Sequence, residues 1–458
     1  MTVKEEELRA AANGFAGELV FASDPAYDEV RKVWNGAIDR RPALIARCTT
    51  PDDVAAALRL ARANDLPIAI RGGGHSIPGL SVVDDGVVVD LSLMRKVVVD
   101  AERKIAVAEG GALLADLDGA TAAHGLQTTG GLVSHTGIAG LTLGGGMGWL
   151  ARKHGLACDN LLEVELVTAE GKLVTANKDE NPDLFWAVRG GGGNFGVVTK
   201  FTYQLHELGP VVFAGSAMYD GKDAPALFRH YLEFGKTAPD EVGQVLVFST
   251  APPAPFVPEH LQGKPIVILA ACYAGPADEG ERVLAPLREN GVTPFMDMFQ
   301  AMPYPVLQQT IDPMSEHGVG RYLKASLHET IDDATIDMLI DHKLTAPTPF
   351  AMVMLTAVGG AISRVPVEAT AYAPRSASWA IEFHADWHPG QDPTPARDWA
   401  RGGAEKLPAP VVGTYVNFLT DEGAQTAYPT ETYVRLQQVK KAWDPDNVFR
   451  LNQNVVPA

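Results

Sequence analysis

Three glycine clusters within the first 200 residues constrain this chain more than any other feature. They are Arg71-Gly-Gly-Gly-His-Ser76, the run Gly130–Gly148 with eight glycines in 19 residues, and Arg189-Gly-Gly-Gly-Gly-Asn-Phe-Gly196. Glycine has no Cβ, so such runs let backbone approach another surface closely and expose successive N–H groups to an anion such as a pyrophosphate. One cluster alone is better explained by a tight turn. Three clusters, alternating with short apolar runs, imply a single dinucleotide site built from several loops. FAD and NAD both suit such a site. Gly144-Gly-Gly-Met-Gly148 ahead of a helical stretch invites a Rossmann reading, but the G-x-G-x-x-G spacing is missing, and that reading leaves His75 and the other two clusters without a role.

Local signals between the clusters alternate between helix and strand. Thr50-Pro-Asp-Asp53 is a capped helix start, with Val54, Leu58 and Ala61 at helical spacing, and predicts a helix to about Asn64. Ile68–Ile70, Val87–Leu91, Ile105–Ala108, Leu162–Val167 and Val197–Phe201 read as strands, and Trp149–Lys153 as a short helix. From Gly209 glycines thin out and prolines increase, which marks a second domain; 458 residues are too many for one hydrophobic core. Trp379 to His388 alternates strictly, placing Trp379, Ile381, Phe383, Ala385 and Trp387 on one face and Ala380, Glu382, His384, Asp386 and His388 on the other. The polar row resembles a metal-ligand set in composition only. Its members lie about 7 Å apart along a regular strand, which cannot bring three of them onto one ion, so no metal is expected.

Charge and composition exclude other classes. Thirty-eight basic against 56 acidic residues give a net charge of −18, which repels nucleic acid and anionic lipid. No apolar stretch is long enough to span a bilayer. The polar, acidic start Met1–Leu8 lacks the pattern of a secretory signal, so a cytoplasmic location is expected. Cys48, Cys158 and Cys272 are odd in number and far apart, as reduced structural cysteines are.

Five segments together carry a family resemblance: Gly72-Gly-Gly-His75-Ser, Gly137-Ile-Ala-Gly-Leu-Thr-Leu-Gly-Gly-Gly146, Asp183 through Gly196-Val-Val198, Tyr415-Val-Asn417, and Asp444-Pro-Asp-Asn-Val-Phe-Arg450-Leu-Asn-Gln-Asn454. They resemble the flavin motifs of the vanillyl-alcohol oxidase and para-cresol methylhydroxylase superfamily, in its berberine bridge enzyme-like branch. The resemblance implies an α+β fold. A two-lobed FAD-binding domain would comprise residues 1–208, with the C-terminal segment 411–458 returning to it, and residues 209–410 would form an α+β substrate domain whose antiparallel sheet roofs the flavin ring. It implies an FAD-dependent oxidoreductase, an oxidase taking hydride from a small alcohol, sugar, phenolic or amine-bearing metabolite to flavin N5 and passing electrons to O2 to give H2O2. A dehydrogenase that uses a quinone or protein acceptor is the alternative.

By the same resemblance, His75 bonds covalently to the 8α carbon of FAD. A second link would require a cysteine where Val133 stands, so a single link is expected. Thr136 occupies the position that governs oxygen access, and threonine, close to valine in size, leaves that access open. Met147 replaces a tyrosine found in relatives and removes one candidate base. Tyr415 and Glu382 remain as candidate catalytic residues. On the residues alone, Tyr415 reads also as a core aromatic with a satisfied hydroxyl, and Glu382 rather as an ordinary solvated strand residue; only the resemblance brings the catalytic reading of Glu382 level. The implied cofactor contacts are Arg71, Gly72, Gly73, Gly74, His75, Ser76, Val133, Thr136, Gly137, Gly140, Gly144, Gly145, Gly196, Val198, Tyr415, Asn452 and Asn454.

Overall fold

The computed structural model describes residues 5–11 and 14–458, so the first four residues of the polar start lie outside it. Thr50 caps the helix Pro51–Ala63, accepting from Asp53 N while the Asp53 carboxylate accepts from Thr50 N. This helix links Leu44–Arg47 to Ile68–Arg71, the two strands that flank Val87–Asp90 in parallel, in a four-stranded sheet ordered Glu18–Val20, Leu44–Arg47, Val87–Asp90 and Ile68–Arg71. The expected strands at 68–70 and 87–91 are its last two members. A second, antiparallel sheet runs Val97–Asp100, Ile105–Glu109, Val197–Gln204, Leu161–Val167, Leu173–Asn177. The helix expected over Trp149–Lys153 shrinks to one turn, Ala151–His154, ended by Gly155 at a φ of +79°.

The third sheet has eight strands, all antiparallel, in the order Met296–Asp297, Val212–Asp220, Pro265–Tyr273, Val242–Thr250, Met352–Ala357, Trp379–Trp387, Gly320–His328, with Gln300–Met302 beside Val212–Asp220. Its apolar face packs under the helices Ala224–Thr237, Asp333–Leu344 and Thr394–Glu405. Trp379, Ile381, Phe383, Ala385 and Trp387 all join this core, as their alternation requires. The opposite face therefore turns Glu382, His384 and Asp386 towards the glycine-rich loops.

The C-terminal helix Thr430–Trp443 packs against Pro182–Ala187, with Leu436 and Val439 in the core of the second sheet. Buried Lys440 fixes the return by donating to Asn194 O (2.8 Å), Asp444 Oδ2 (2.7 Å) and Phe449 O (2.9 Å). The three cysteines are free and buried. Among the described residues no helix is long and apolar enough to cross a membrane.

Candidate active site

The loop Gly72–Ser76 leaves the C-terminal end of the strand Ile68–Arg71 and runs against the second glycine cluster. A Cβ on Gly73 would lie 2.3 Å from Gly137 N, and one on Gly137 would lie 2.3 Å from Gly73 N. These glycines are thus required for backbone to meet backbone. Beside this contact opens a cavity of about 430 Å³. Its walls are Gly72–Ser76, Val133, Thr136, Gly137, Gly140, Gly192, Gly193, Gly196 and Val198, with Tyr415, Asn417 and Asn452 from the tail and Glu382, His384 and Asp386 from the roofing sheet.

Four residues expected at the cofactor are not among these walls. Arg71 turns its guanidinium away to Asp90 Oδ2 (2.6 Å) and Val30 O (2.7 Å). Gly144 makes room for the tail, since a Cβ there would lie 2.2 Å from Asn417 Oδ1. Gly145 lies against the rings of Tyr372 and Tyr415. Asn454 holds a buried Oδ1 with no hydrogen-bond partner among the described residues. The glycines of the second cluster therefore divide between cavity wall and protein packing.

His75 stands at the meeting point of the loops. Its ring stacks on Trp34, centroids 4.7 Å apart and 14° from parallel. Nε2 lies 2.7 Å from His135 Nδ1, and Thr136 Oγ1 lies 3.5 Å from His75 Nδ1. Burial, reinforced by the nearby His135, His317 and Arg321, pushes the His75 pKa down to about 2. The imidazole is neutral at physiological pH. Of its two nitrogens, Nε2 is engaged with His135 and Nδ1 faces Thr136.

In the roof, Glu382 is 2% exposed. Its carboxylate accepts from Thr356 Oγ1 at 3.1 Å and pairs with His384 Nε2 at 3.0 Å, so the residue is buried and held in place, where the residues alone favoured a solvated one. Asp386 pairs with Arg321, which lies over the Trp34 ring at 4.4 Å. The Tyr415 hydroxyl accepts from Gly146 N and Asn417 Nδ2, both at 2.8 Å. Burial raises the Tyr415 pKa, so the phenol keeps its proton and has it free to donate. Met147 lines the cavity without offering a polar group.

Several site residues went unassigned in the sequence. Trp34, His317 and Arg321 lie outside any recognisable spacing, His135 lies within the second glycine cluster without a role assigned to it, and the four meet only in the folded chain. Two others carried a signal: His384 shares the polar row with Glu382, and Asn417 closes the Tyr415-Val-Asn417 segment.

Comparison with known proteins matches residues 42–177 to an FAD-binding domain and residues 414–456 to the berberine and berberine-like domain. An FAD-linked oxidoreductase of Bacillus subtilis (strain 168), YgaK, is 32% identical over 96% of this chain and 97% of its own. (R)-6-hydroxynicotine oxidase of Paenarthrobacter nicotinovorans is 32% identical over 96% of this chain and 97% of its own. This chain belongs to the berberine bridge enzyme-like family of FAD-linked oxidoreductases.

The fold agrees with that membership. Glucooligosaccharide oxidase of Acremonium strictum, whose structure carries a 6-S-cysteinyl, 8α-N1-histidyl FAD, superposes with a TM-score of 0.86 at 22% identity, covering 98% of this chain and 99% of that one. The cavity of the berberine bridge enzyme-like chain fits FAD on its own chemistry. Glycine walls free of Cβ atoms border one stretch, and Ile68, Ile70, Leu80 and Leu91 give an apolar one. Ser81 Oγ and Asn452 Oδ1, both on residues lining the cavity, are buried without a partner among the described residues, as groups that a polar ligand would satisfy.

Proposed function

We propose that this protein is an oxidase of small molecules that carries FAD through a single bond from His75, with residues 1–208 and 411–458 holding the cofactor and 209–410 the substrate. The observation that carries this reading is one cavity that joins a neutral, ring-stacked His75 to the buried Glu382–His384 pair. Bound FAD supplies the two-electron acceptor for a hydride from a substrate carbon and passes the electrons on to O2, giving H2O2.

The chain's own groups perform the remaining work. Nδ1 of His75, the ring nitrogen not engaged with His135, is the attaching atom, in keeping with the 8α-N1-histidyl link of the Acremonium oxidase. Val133 offers no thiol for a second link. Glu382, in contact with His384 and Thr356, takes the proton from the substrate's hydroxyl or amine. Tyr415 donates its hydroxyl proton as a hydrogen bond that orients the substrate. Arg321 is neutralised by Asp386, so the roof presents no free cation for an anionic substrate, and a neutral alcohol or phenol, or an amine, suits it better.

Acid precipitation tests the attachment. Flavin absorbance should stay with the pellet of the wild type and move to the supernatant for His75→Ala. Wild-type flavin released to the supernatant overturns the covalent assignment. Anaerobically reduced protein mixed with air should reoxidise within seconds and form H2O2; protein that stays reduced for minutes is a dehydrogenase.

A further inference from the structure

The rings of His75, His135 and His317 converge from three separate loops. Each offers one nitrogen, and these nitrogens all lie within 4.8 Å of one another. The ring centroids are 4.8 Å apart for His75 and His135, 5.0 Å for His135 and His317, and 5.9 Å for His75 and His317. We infer that these three histidines form a site for one late first-row divalent cation of the zinc, cobalt, nickel or copper class. The set is distinct from the row Glu382, His384, Asp386, His388, whose geometry the strand forbids.

Imidazole nitrogens are the ligands such ions prefer, and three of them leave a fourth position for water. Metal–nitrogen bonds of about 2.0–2.1 Å in a tetrahedron place the nitrogens about 3.3 Å apart. His75 Nε2 and His135 Nδ1, at 2.7 Å, share a proton that an ion would replace, and they need part by only a few tenths of an ångström. His317 must come in from the longer distance. It is exposed, and its backbone turn is held to Trp34 by Gly318 N–Trp34 O (3.1 Å), so the approach falls to rotation of the His317 side chain. Trp34 meanwhile holds the His75 ring plane. The charge of Arg321, which also faces the cluster, is offset by Asp386.

Access is present as well. A second cavity of about 250 Å³, lined by Trp34, Gly72, Gly73, Gly74 and His317, opens on the His317 member of the cluster. Because the ion uses Nε2 of His75, the site does not compete with a flavin bond at Nδ1 and stands whether or not that bond exists.

The purified flavoprotein, cleared of metal with a chelator, is titrated with cobalt(II), and the visible bands beyond the flavin absorption are followed. One equivalent should bind and give the bands of four-coordinate cobalt, and zinc should abolish them. His317→Phe and His135→Phe should each weaken binding by about tenfold or more. His388→Phe, at an exposed histidine outside the cluster, should not change it. His317 lies outside the core, so a retained flavin spectrum confirms that its variant is folded. Absence of a saturable band in the wild type, or binding as tight as the wild type's in both cluster variants, overturns the site. The same samples are acid-precipitated: released flavin with an intact cobalt band removes the attachment reading and keeps the metal site, and retained flavin without the band does the reverse.

Discussion

His384 Nε2 lies 3.0 Å from Glu382 Oε2, and the two residues sit two apart on the strand Trp379–Trp387, on the face that lines the cavity. The strand's other face is locked into the core by two tryptophans and a phenylalanine, so the pair cannot rotate away. Glu382→Gln keeps the shape and the contact to Thr356 but removes the proton acceptor. Flavin reduction by substrate, followed anaerobically by stopped flow, should slow by about 10²–10⁴-fold, with flavin content unchanged.

Tyr415→Phe tests a different role. Its hydroxyl satisfies Gly146 N and the Asn417 amide, both buried or part-buried, and the variant leaves them without that partner. Stability should fall by about 1–3 kcal/mol, read as a lower denaturation midpoint. The flavin-reduction rate should fall by less than in Glu382→Gln, because a phenol whose pKa is raised by burial is not the base. Equal losses in the two variants would assign proton abstraction to Tyr415 as well.

Gly144→Ala places a methyl group 2.2 Å from Asn417 Oδ1. Overpacking of this kind costs about 1–3 kcal/mol, and the tail segment carrying Tyr415 should loosen with it. Thermal unfolding should show a lower Tm. Pairing it with Asn417→Ala removes the atoms it strikes and should recover part of the loss, a coupling that a double-mutant cycle measures.

His154 and His206 stack at 3.9 Å, and burial together with the neighbouring His206 and Lys153 pushes the His154 pKa from 6.5 down to about 3. Between these two values the unfolded chain binds a proton that the folded chain excludes. Stability is therefore complete above pH 6.5 and declines as the pH falls towards 3, by about 1.4 kcal/mol per pH unit for this one proton. Urea midpoints at pH 7 and pH 5 should differ in that direction, and His154→Phe should reduce the difference.

Much of the chain was legible before folding was considered. The helix after Thr50, the strands around the glycine clusters and the two-faced strand through Glu382 follow from capping, turn chemistry and alternation, each written within a dozen or fewer neighbouring residues. The glycine clusters also announced close approach, and the resemblance of five scattered segments pointed to FAD. The sequence did not show what each glycine approaches. Gly73 and Gly137 serve one another, Gly144 serves Asn417, and Gly192, Gly193 and Gly196 border the cavity.

The sequence by itself determined the periodicities, the caps, the vacant cysteine position at Val133 and the acidic balance, because these depend on residue type and near neighbours alone. Only the tertiary structure decided that Glu382 is buried against His384, that Arg71 is spent on Asp90, and that His75 meets His135 across 60 residues of chain and His317 across a still longer stretch. Such contacts carry no local signal. They arise because three sheets, each obliged to bury one apolar face, bring their polar loops to a common centre.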